Sequence, residues 1–335
     1  TTLSTLLLGS TVLAGPVLAD GPKMVLTAPL GAEITGLYES GDDLFLNMQH
    51  PDSDLGNEFA KAVVGVISNV NWSADALEPL TEDADKKVVK TTLGDYQILL
   101  SEGDEGSIIR SRAGEDLLVS NDPDFNGYIP TGENEGFLFT NWENRPGGMS
   151  RAKLTRAEDG MWSVEDTMMV DFSTVGGTWV NCFGTVSPWG TPLTSEELYF
   201  DDTADWNNPE YKYIDDNKML ASYLGEDAYP NPYDYGYIVE VTDPAESATP
   251  VKMFAMGRFS HENAVVMPDQ KTAYLSDDGT DVVFYKFIAD TAGDLTAGTL
   301  YAAKVTQDEG DDPAETGFGI EWVELAHGSN DEIEA

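Results

Sequence analysis

The chain has one cysteine, and it is followed by residue types that can bind a metal ion. Cys182 comes directly after Asn181, and two adjacent glutamates, Glu196 and Glu197, end the same segment. A thiolate with carboxylate oxygens suits a transition metal. The same residues also fit a small buried side chain and a solvated acidic pair. Spacing alone favours this second, structural interpretation.

A second segment, residues 257–264, combines an arginine, a histidine and a glutamate. If it forms a strand, Arg258 and Glu262 lie on one face and His261 on the other, because strand side chains alternate. An arginine beside a carboxylate suits an anion held next to a cation, and a cross-strand salt bridge is the alternative. His261 by itself is more typical of a structural histidine than of a ligand.

Two further segments carry oxygen donors beside turns. They are Asn141-Trp142-Glu143, shortly before Gly147-Gly148, and Asp277-Asp278-Gly279. Such oxygens either coordinate calcium or cap turns, and capping is the commoner role. The sequence contains no serine-centred nucleophile elbow, no glycine-rich phosphate loop and no histidine-rich zinc motif.

The elements that must position these residues are predicted to be strands. Short alternating runs rich in β-branched and aromatic residues are bounded by Gly, Asp, Asn and Pro, at 43–48, 96–100, 136–140, 236–241, 272–275 and 282–287. The chain is therefore predicted to be all-β. The spacing of strand pairs suits a β-propeller, with about five blades' worth of strands between Asp20 and Leu325. A β-sandwich is the competing architecture.

Helical periodicity is weak along the chain. One helix is predicted within Asn57 to Val70 and another within Glu210 to Leu224. The second lies in a loop insertion at about residues 201–234, which is rich in Tyr, Asn, Asp and Pro. Because long loops are often functional, we expect this insertion to cross one face of the domain.

The charge balance excludes some partners. Against 18 Lys and Arg stand 60 Asp and Glu, a net charge of −42. Such a surface repels phosphate backbones and anionic lipids, so we expect no nucleic-acid or membrane partner. The acidity suits salty water, cation binding, or both. With Cys182 alone, no intrachain disulfide is possible.

The first 19 residues are expected to be a signal peptide. Thr1 to Ala19 contains a short apolar run that ends in Val17-Leu18-Ala19, a small-residue cleavage site, and is too broken for a membrane span. Residues 20–335 are then the propeller domain. The protein is expected to be exported to the periplasm or the medium, by a route that stays open.

Taken in order, these segments resemble the PhoX-type alkaline phosphatases. Asn181 to Glu197 is similar to that family's Asn-Cys-x-Gly, Pro-Trp-Gly-Thr and Glu-Glu signature, and Tyr235 to Gly279 to its Gly-Arg-Phe-Ser-His-Glu core with a following Asp-Asp-Gly. Gly298 to Lys304 and Trp322 to Gly328 fit what comes next. Asn141-Trp142-Glu143 looks like a variant of Asn-His-Glu. The resemblance covers roughly residues 95–328.

The resemblance implies a six-bladed propeller whose axial site holds iron and calcium and hydrolyses small phosphate esters. By the family's pattern, Cys182 and Glu262 would bind iron, and Glu196 or Glu197 would bind calcium. Arg258 would orient the ester or support Glu262. Bound cations would polarise the phosphorus and offset the negative charge of the substrate.

Two departures from the family pattern leave alternatives open. Its later Met-Asp-Arg-Pro-Glu and Pro-Asp-Asn motifs have no match, while residues 31–36 and 44–51 resemble a segment usually found at its carboxyl end. We therefore expect a permuted member that lacks carboxyl-terminal blades. The alternatives are a non-catalytic, calcium-stabilised propeller that serves as a binding or assembly module, and a propeller lactonase, which needs no cysteine.

Overall fold

A computed structural model describes residues 22–197, 203–225, 228–309 and 316–335. The predicted signal peptide, residues 1–19, lies outside the described residues, as do parts of the predicted insertion. Ordered structure in the described part is mainly antiparallel β-sheet, with short helices between the strands. The all-β prediction is confirmed.

Most strands belong to four successive antiparallel meanders, in which strand order in the sheet follows chain order. The first is β2 (Glu33–Ser40), β3 (Asp43–Gln49), β4 (Val63–Ser68) and β6 (Asp95–Ser101); the second is β9 (Pro123–Pro130), β10 (Glu135–Trp142), β11 (Gly148–Arg156) and β12 (Trp162–Met169). The third is β13 (Asn181–Val186), β14 (Pro192–Glu196), β15 (Ile238–Thr242) and β16 (Thr249–Lys252); the fourth is β17 (His261–Val266), β18 (Thr272–Asp277), β19 (Phe284–Thr291), β20 (Asp294–Gln307) and β21 (Phe318–Ser329).

The meanders are the blades of a β-propeller. The first strands of the sheets lie innermost and contact one another in series, β2 against β9, β9 against β13 and β13 against β17. The described residues form four such blades rather than five, because the fourth takes five strands and two pairs form separate small sheets. These pairs are β1 (Leu26–Thr27) with β5 (Lys90–Thr91), and β7 (Ile108–Arg110) with β8 (Asp116–Val119).

The helix predicted within Asn57 to Val70 is wrong. This segment forms a short 3-10 turn, Glu58–Ala60, which Asn57 caps by accepting a hydrogen bond from the Phe59 N–H at 3.0 Å, and then the strand β4. Every residue of β4 is buried, so both faces of the strand are packed. A short apolar run of this kind has no period-two pattern to separate it from a helix.

The helix predicted in the insertion is present. The insertion carries α1 (Thr203–Trp206) and α2 (Ile214–Leu224), and α3 (Asn330–Glu334) follows the last blade. Trp206 and Leu220 are buried in the same apolar core as Val239 of the third blade, so the insertion is packed against the propeller. Among the described helices, none is long and apolar enough to cross a membrane.

A buried polar network joins the first two blades. Asn47 on β3 donates to the backbone carbonyl of Asp124 on β9. Asn126 donates to Asn47 Oδ1 at 2.7 Å and to the Gly36 carbonyl at 3.1 Å, and it accepts from the Thr140 hydroxyl at 2.7 Å. Since buried polar groups must be paired, this network fixes the position of β9 relative to β2 and β3.

A side chain at position 36 would disturb this contact. Gly36 has φ +60°, and a Cβ there would overlap the carbonyl oxygen of Asp124. We expect Gly36→Ala to lower the free energy of unfolding by about 2–4 kcal/mol, from overpacking and backbone strain together. Gly41→Ala is the matched control, since Gly41 has φ +61° and open space around it. Equal losses for the two variants in urea denaturation would contradict the prediction.

Candidate metal centre

All four blades contribute to the walls of an acidic cavity of about 490 Å³. The first blade supplies side chains from β2 and β3, the second from the start of β9 and the turn after β10, the third from β13 and the end of β14, and the fourth from β17. The lining residues are Glu33, Thr35, Gln49, His50, Asp122, Asp124, Glu143, Arg145, Cys182, Glu197 and Glu262. The cavity therefore forms only where the inner strands meet.

One group of donors surrounds the cysteine. Cys182 is buried, and its Sγ lies 3.0 Å from Asp124 Oδ2, to which the thiol donates. Glu143 completes the group, in which each residue offers one donor atom within 4.8 Å of the others. Gln49 Nε2 donates to Glu143 Oε2 at 3.0 Å and holds this carboxylate in place. The group combines one sulfur from the third blade with two carboxylates from the second.

A second group lies beside the first. Glu197, Glu262 and Asp278 each offer a carboxylate oxygen within 4.8 Å of the other two. Glu262 Oε2 is also 3.4 Å from Cys182 Sγ, so it lies within reach of both groups. Asp278 follows the end of β18 and is held by its backbone N–H, which donates to the Ser260 carbonyl at 2.8 Å. Oxygen-only donors of this kind suit a hard cation such as calcium.

Burial and the closeness of several carboxyl groups raise the pKa values of some side chains in the two donor groups. Burial, reinforced by the charges of Glu143 and Glu262, raises the pKa of Asp124 to about 7. Burial and the adjacent carboxyl groups of Glu143 and Asp278 raise the pKa of Glu197 to about 9. Burial also raises the pKa of the Cys182 thiol. Without a cation, these groups hold protons that they would give up to a metal.

In the segment Asn141-Trp142-Glu143, two residues have structural roles and one lines the cavity. Asn141 donates from Nδ2 to the carbonyl of Cys182 at 2.5 Å, so it fixes the backbone that carries the thiol. Trp142 is fully buried, and its indole donates to the hydroxyl of Ser150 at 3.0 Å. Only Glu143 lines the cavity. Trp142, which stands where the resemblance leads one to expect a histidine, is thus part of the blade core.

The two adjacent glutamates point to different places. Glu197 lines the cavity, whereas Glu196, on β14, is fully buried and pairs with Lys252 Nζ at 3.1 Å. Glu196 also accepts hydrogen bonds from the backbone N–H groups of Trp179, Gly236 and Tyr237 at 3.0–3.1 Å. Successive strand side chains alternate in direction, so only one of the pair can reach the cavity. The structure brings Glu197 to the cluster and not Glu196.

Arg258 is also separate from the cavity lining. The expectation that it shares a strand face with Glu262 is wrong, because β17 begins at His261. Its guanidinium donates to the carbonyls of Tyr235 and Pro232, both at 3.0 Å. His261 is buried, stacks on Phe259 with ring centroids 3.6 Å apart and contacts the Gly257 carbonyl, as a structural histidine does.

Sequence reasoning did not assign the first-blade residues of the cavity wall, Glu33, Thr35, Gln49 and His50, and it missed three residues of the second blade: Asp122, Asp124 and Arg145. Asp122 and Asp124 alternate across the start of β9, and carboxylates at every second position of an inner strand are a signal that could have identified them. Arg145 follows the Asn141 to Glu143 segment by two residues, with no motif of its own. Each of the three comes from the second blade.

The family model for alkaline phosphatase PhoX matches residues 137–335. No curated protein matches the chain. Among solved structures, PhoX from Pseudomonas fluorescens in complex with vanadate, a transition state analogue, is 21% identical with a TM-score of 0.44. This match covers 66% of the chain and 54% of the P. fluorescens protein, so the chain spans about half of that protein's length.

A second solved structure is CoXyl43, a GH43 β-xylosidase/α-arabinofuranosidase from a compost microbial metagenome, in its calcium-free form with xylotriose. It is 11% identical with a TM-score of 0.33, over 89% of the chain and 91% of that protein. The family model, in contrast, takes in more than half of the chain and includes Glu143, Cys182, Glu197, Glu262 and Asp278. The chain belongs to the PhoX alkaline phosphatase family.

Proposed function

We propose that the protein is an exported, metal-dependent phosphomonoesterase that releases phosphate from small organic esters. The observation that carries the proposal is the buried thiol of Cys182 with the carboxylates of Asp124 and Glu262 at 3.0 and 3.4 Å, in a protein of the PhoX family. The signal-like sequence of Thr1 to Ala19 supports export. Amino-terminal sequencing of the secreted protein would check cleavage after Ala19.

The donors present fit the metals that the family implies. A thiolate among carboxylates suits iron, which Cys182, Asp124 and Glu143 would hold, while the oxygens of Glu197 and Asp278 suit calcium. Glu262 is within reach of either group. The crowding of these carboxylates, seen in the raised pKa of Asp124 and Glu197, is relieved when cations replace the protons.

The residues of the chain prepare the cavity for an anionic substrate. Bound cations supply Lewis-acid polarisation of the phosphoryl group and offset the charge of the ester. Without them, those of the six carboxyl groups of the cavity wall that stay ionised repel a phosphate ester, so the cavity accepts substrate only when loaded. Asp124 Oδ2 accepts the hydrogen bond of the Cys182 thiol and so orients the sulfur toward the carboxylates of the cluster, and the thiol proton would leave to solvent when the thiolate forms.

Removal of the thiol tests the proposal. We expect the wild-type chain to contain iron and calcium and to hydrolyse p-nitrophenyl phosphate. Cys182→Ala should lose iron and at least about 100-fold in kcat/KM, a loss typical of removing one transition-state stabilising group. Thr185→Ala is the matched control, because Thr185 also joins β13 to β17, through the Ala264 carbonyl at 2.5 Å, but does not line the cavity.

Two results would contradict the proposal. A metal-free, inactive wild-type protein would exclude the phosphatase, and full activity in Cys182→Ala would exclude the thiol from the site. Calcium binding that raises the thermal stability without any turnover would instead favour the calcium-stabilised binding module. Elemental analysis, turnover and thermal unfolding on the same samples separate these results.

A further inference from the structure

The cavity wall contains one guanidinium among many carboxylates. Six carboxylates line the cavity, and Arg145 is the permanently cationic side chain among its described lining residues. A cation so placed would ordinarily be held by one of these carboxylates. Among the described residues, however, Arg145 forms no ion pair, and its Nε is buried without a hydrogen-bond partner.

Aromatic rings hold Arg145 instead. Its guanidinium carbon lies 4.6 Å from the ring centroid of Tyr213 and 5.8 Å from that of Trp179. Trp179 is buried and packs on Trp206 of α1, with ring centroids 5.3 Å apart. Since a ring face attracts a cation without neutralising its charge or using its N–H groups, the donors of Arg145 stay available.

Arg258, the arginine that the sequence pointed to, differs from Arg145 both in its position and in the partners of its guanidinium. Arg258 does not line the cavity, and its Nε and Nη2 donate to backbone carbonyls of residues 235 and 232. Its donors are thus engaged in holding the loop before β15. Arg145 therefore has the placement expected of an anion-binding group, and Arg258 has that of a structural one.

We infer that Arg145 is the substrate-recognition residue of the cavity, binding the phosphoryl oxygens of an anionic ester through its guanidinium. The inference rests on the proposed function for the identity of the substrate. A guanidinium presents paired N–H donors that match two phosphate oxygens, which a lysine ammonium cannot reproduce. The aromatic support from Tyr213 of the insertion and from Trp179 keeps this group from collapsing onto the neighbouring carboxylates.

The test is direct binding of inorganic phosphate to the metal-loaded full-length chain, measured by calorimetry. Arg145→Gln should bind phosphate about 10- to 100-fold more weakly than the wild type, as expected for losing hydrogen bonds to a charged group. Arg145→Lys should recover part of the affinity. Arg151→Gln is the matched control, since Arg151 also lies over an aromatic ring, Phe137 at 4.7 Å, but does not line the cavity.

Each outcome bears on the inference. Equal metal content in wild type and Arg145→Gln, with weaker phosphate binding only in the variant, supports it. Unchanged phosphate affinity in Arg145→Gln overturns it, and so does loss of metal from this variant, which would assign Arg145 to the structure of the site. A wild type that binds no phosphate overturns it as well.

Turnover of p-nitrophenyl phosphate separates this inference from the proposed function. If the wild type binds phosphate through Arg145 but does not turn over the ester, only the proposed function fails. If the wild type is active and Arg145→Gln has unchanged KM and phosphate affinity, only the inference fails.

Discussion

Lys252→Met is expected to lower the free energy of unfolding by about 3–5 kcal/mol, the usual cost of removing one partner from a buried ion pair. Lys252 Nζ lies 3.1 Å from Glu196 Oε1, and the two side chains are 1% and 0% exposed. Nζ also donates to the Asp234 carbonyl at 2.5 Å and lies 4.4 Å from the ring centroid of Tyr235. The substitution would leave the Glu196 carboxylate buried without its counter-charge.

The large loss of unfolding free energy is expected because the Lys252–Glu196 pair is buried, and an exposed ion pair is the control for this. Lys304 and Glu321 form an exposed pair at 3.2 Å, and Lys304→Met should cost less than about 1 kcal/mol. The double variant Glu196→Gln with Lys252→Met should recover part of the loss, since no buried charge remains. Urea denaturation measures all three variants. A loss below about 1 kcal/mol for Lys252→Met would show that the pair is not stabilising in the way its burial indicates.

The second large effect is a fall in the stability of the metal-free protein as the pH rises. The pKa of Asp124 is about 7 in the folded chain, while an unfolded aspartate titrates near pH 4. Between these values the folded state holds a proton that the unfolded state has lost, so the free energy of unfolding falls with rising pH. At about 1.4 kcal/mol per pKa unit, Asp124 alone removes about 4 kcal/mol by pH 8.

Glu197 extends the same trend to higher pH. Its pKa is raised to about 9 by burial and by Glu143 and Asp278, so the metal-free protein continues to lose stability until about pH 9. Cations that bind the folded state alone reverse the loss, by about 4 kcal/mol at a concentration of 1,000 times Kd. The metal-loaded protein should therefore lose less stability between pH 5 and pH 8 than the metal-free protein does.

Urea denaturation of EDTA-treated protein at pH 5, 7 and 9, with and without added calcium and iron, measures this effect. Asp124→Asn should remove the part of the fall that ends near pH 7 and leave the part that ends near pH 9. Asp166→Asn, on the exposed face of β12, makes the same change in net charge and should leave the pH profile unchanged. A metal-free protein that is more stable at pH 8 than at pH 5 would refute the prediction.

Strand patterns predicted much of the fold. The alternating runs at 43–48, 136–140 and 272–275 all lie within observed strands, β3, β10 and β18. The helix wrongly predicted within residues 57–70 fell on β4, whose six residues are all buried. β3 is fully buried as well, but its run keeps the polar residues Asp43 and Asn47, whereas β4 is a plain apolar run, in which periodicity alone does not separate a strand from a helix.

The candidate site was less accessible from sequence because its members come from different blades. Cys182 and Glu262 were expected from the family's motifs, and the structure places their side chains 3.4 Å apart. Glu196 and Glu197 could not be told apart by sequence, since their separation depends on which face of β14 meets Lys252. Arg145 has no local motif, and Asp122 has only the alternation that it shares with Asp124. The contact of inner strands brings both residues to the cavity.

The contact of inner strands also determines how the propeller is expected to unfold. Each blade closes its own backbone hydrogen bonds, as a repeat unit does, so blades joined only by side chains could separate while each stays folded. The donors of the cavity, however, come from different blades. The free energy of binding a cation to them therefore stabilises the contacts between blades. When the ion is lost, neighbouring blades can separate before the strands within a blade unfold. With the ion bound, the whole propeller should unfold as one cooperative unit.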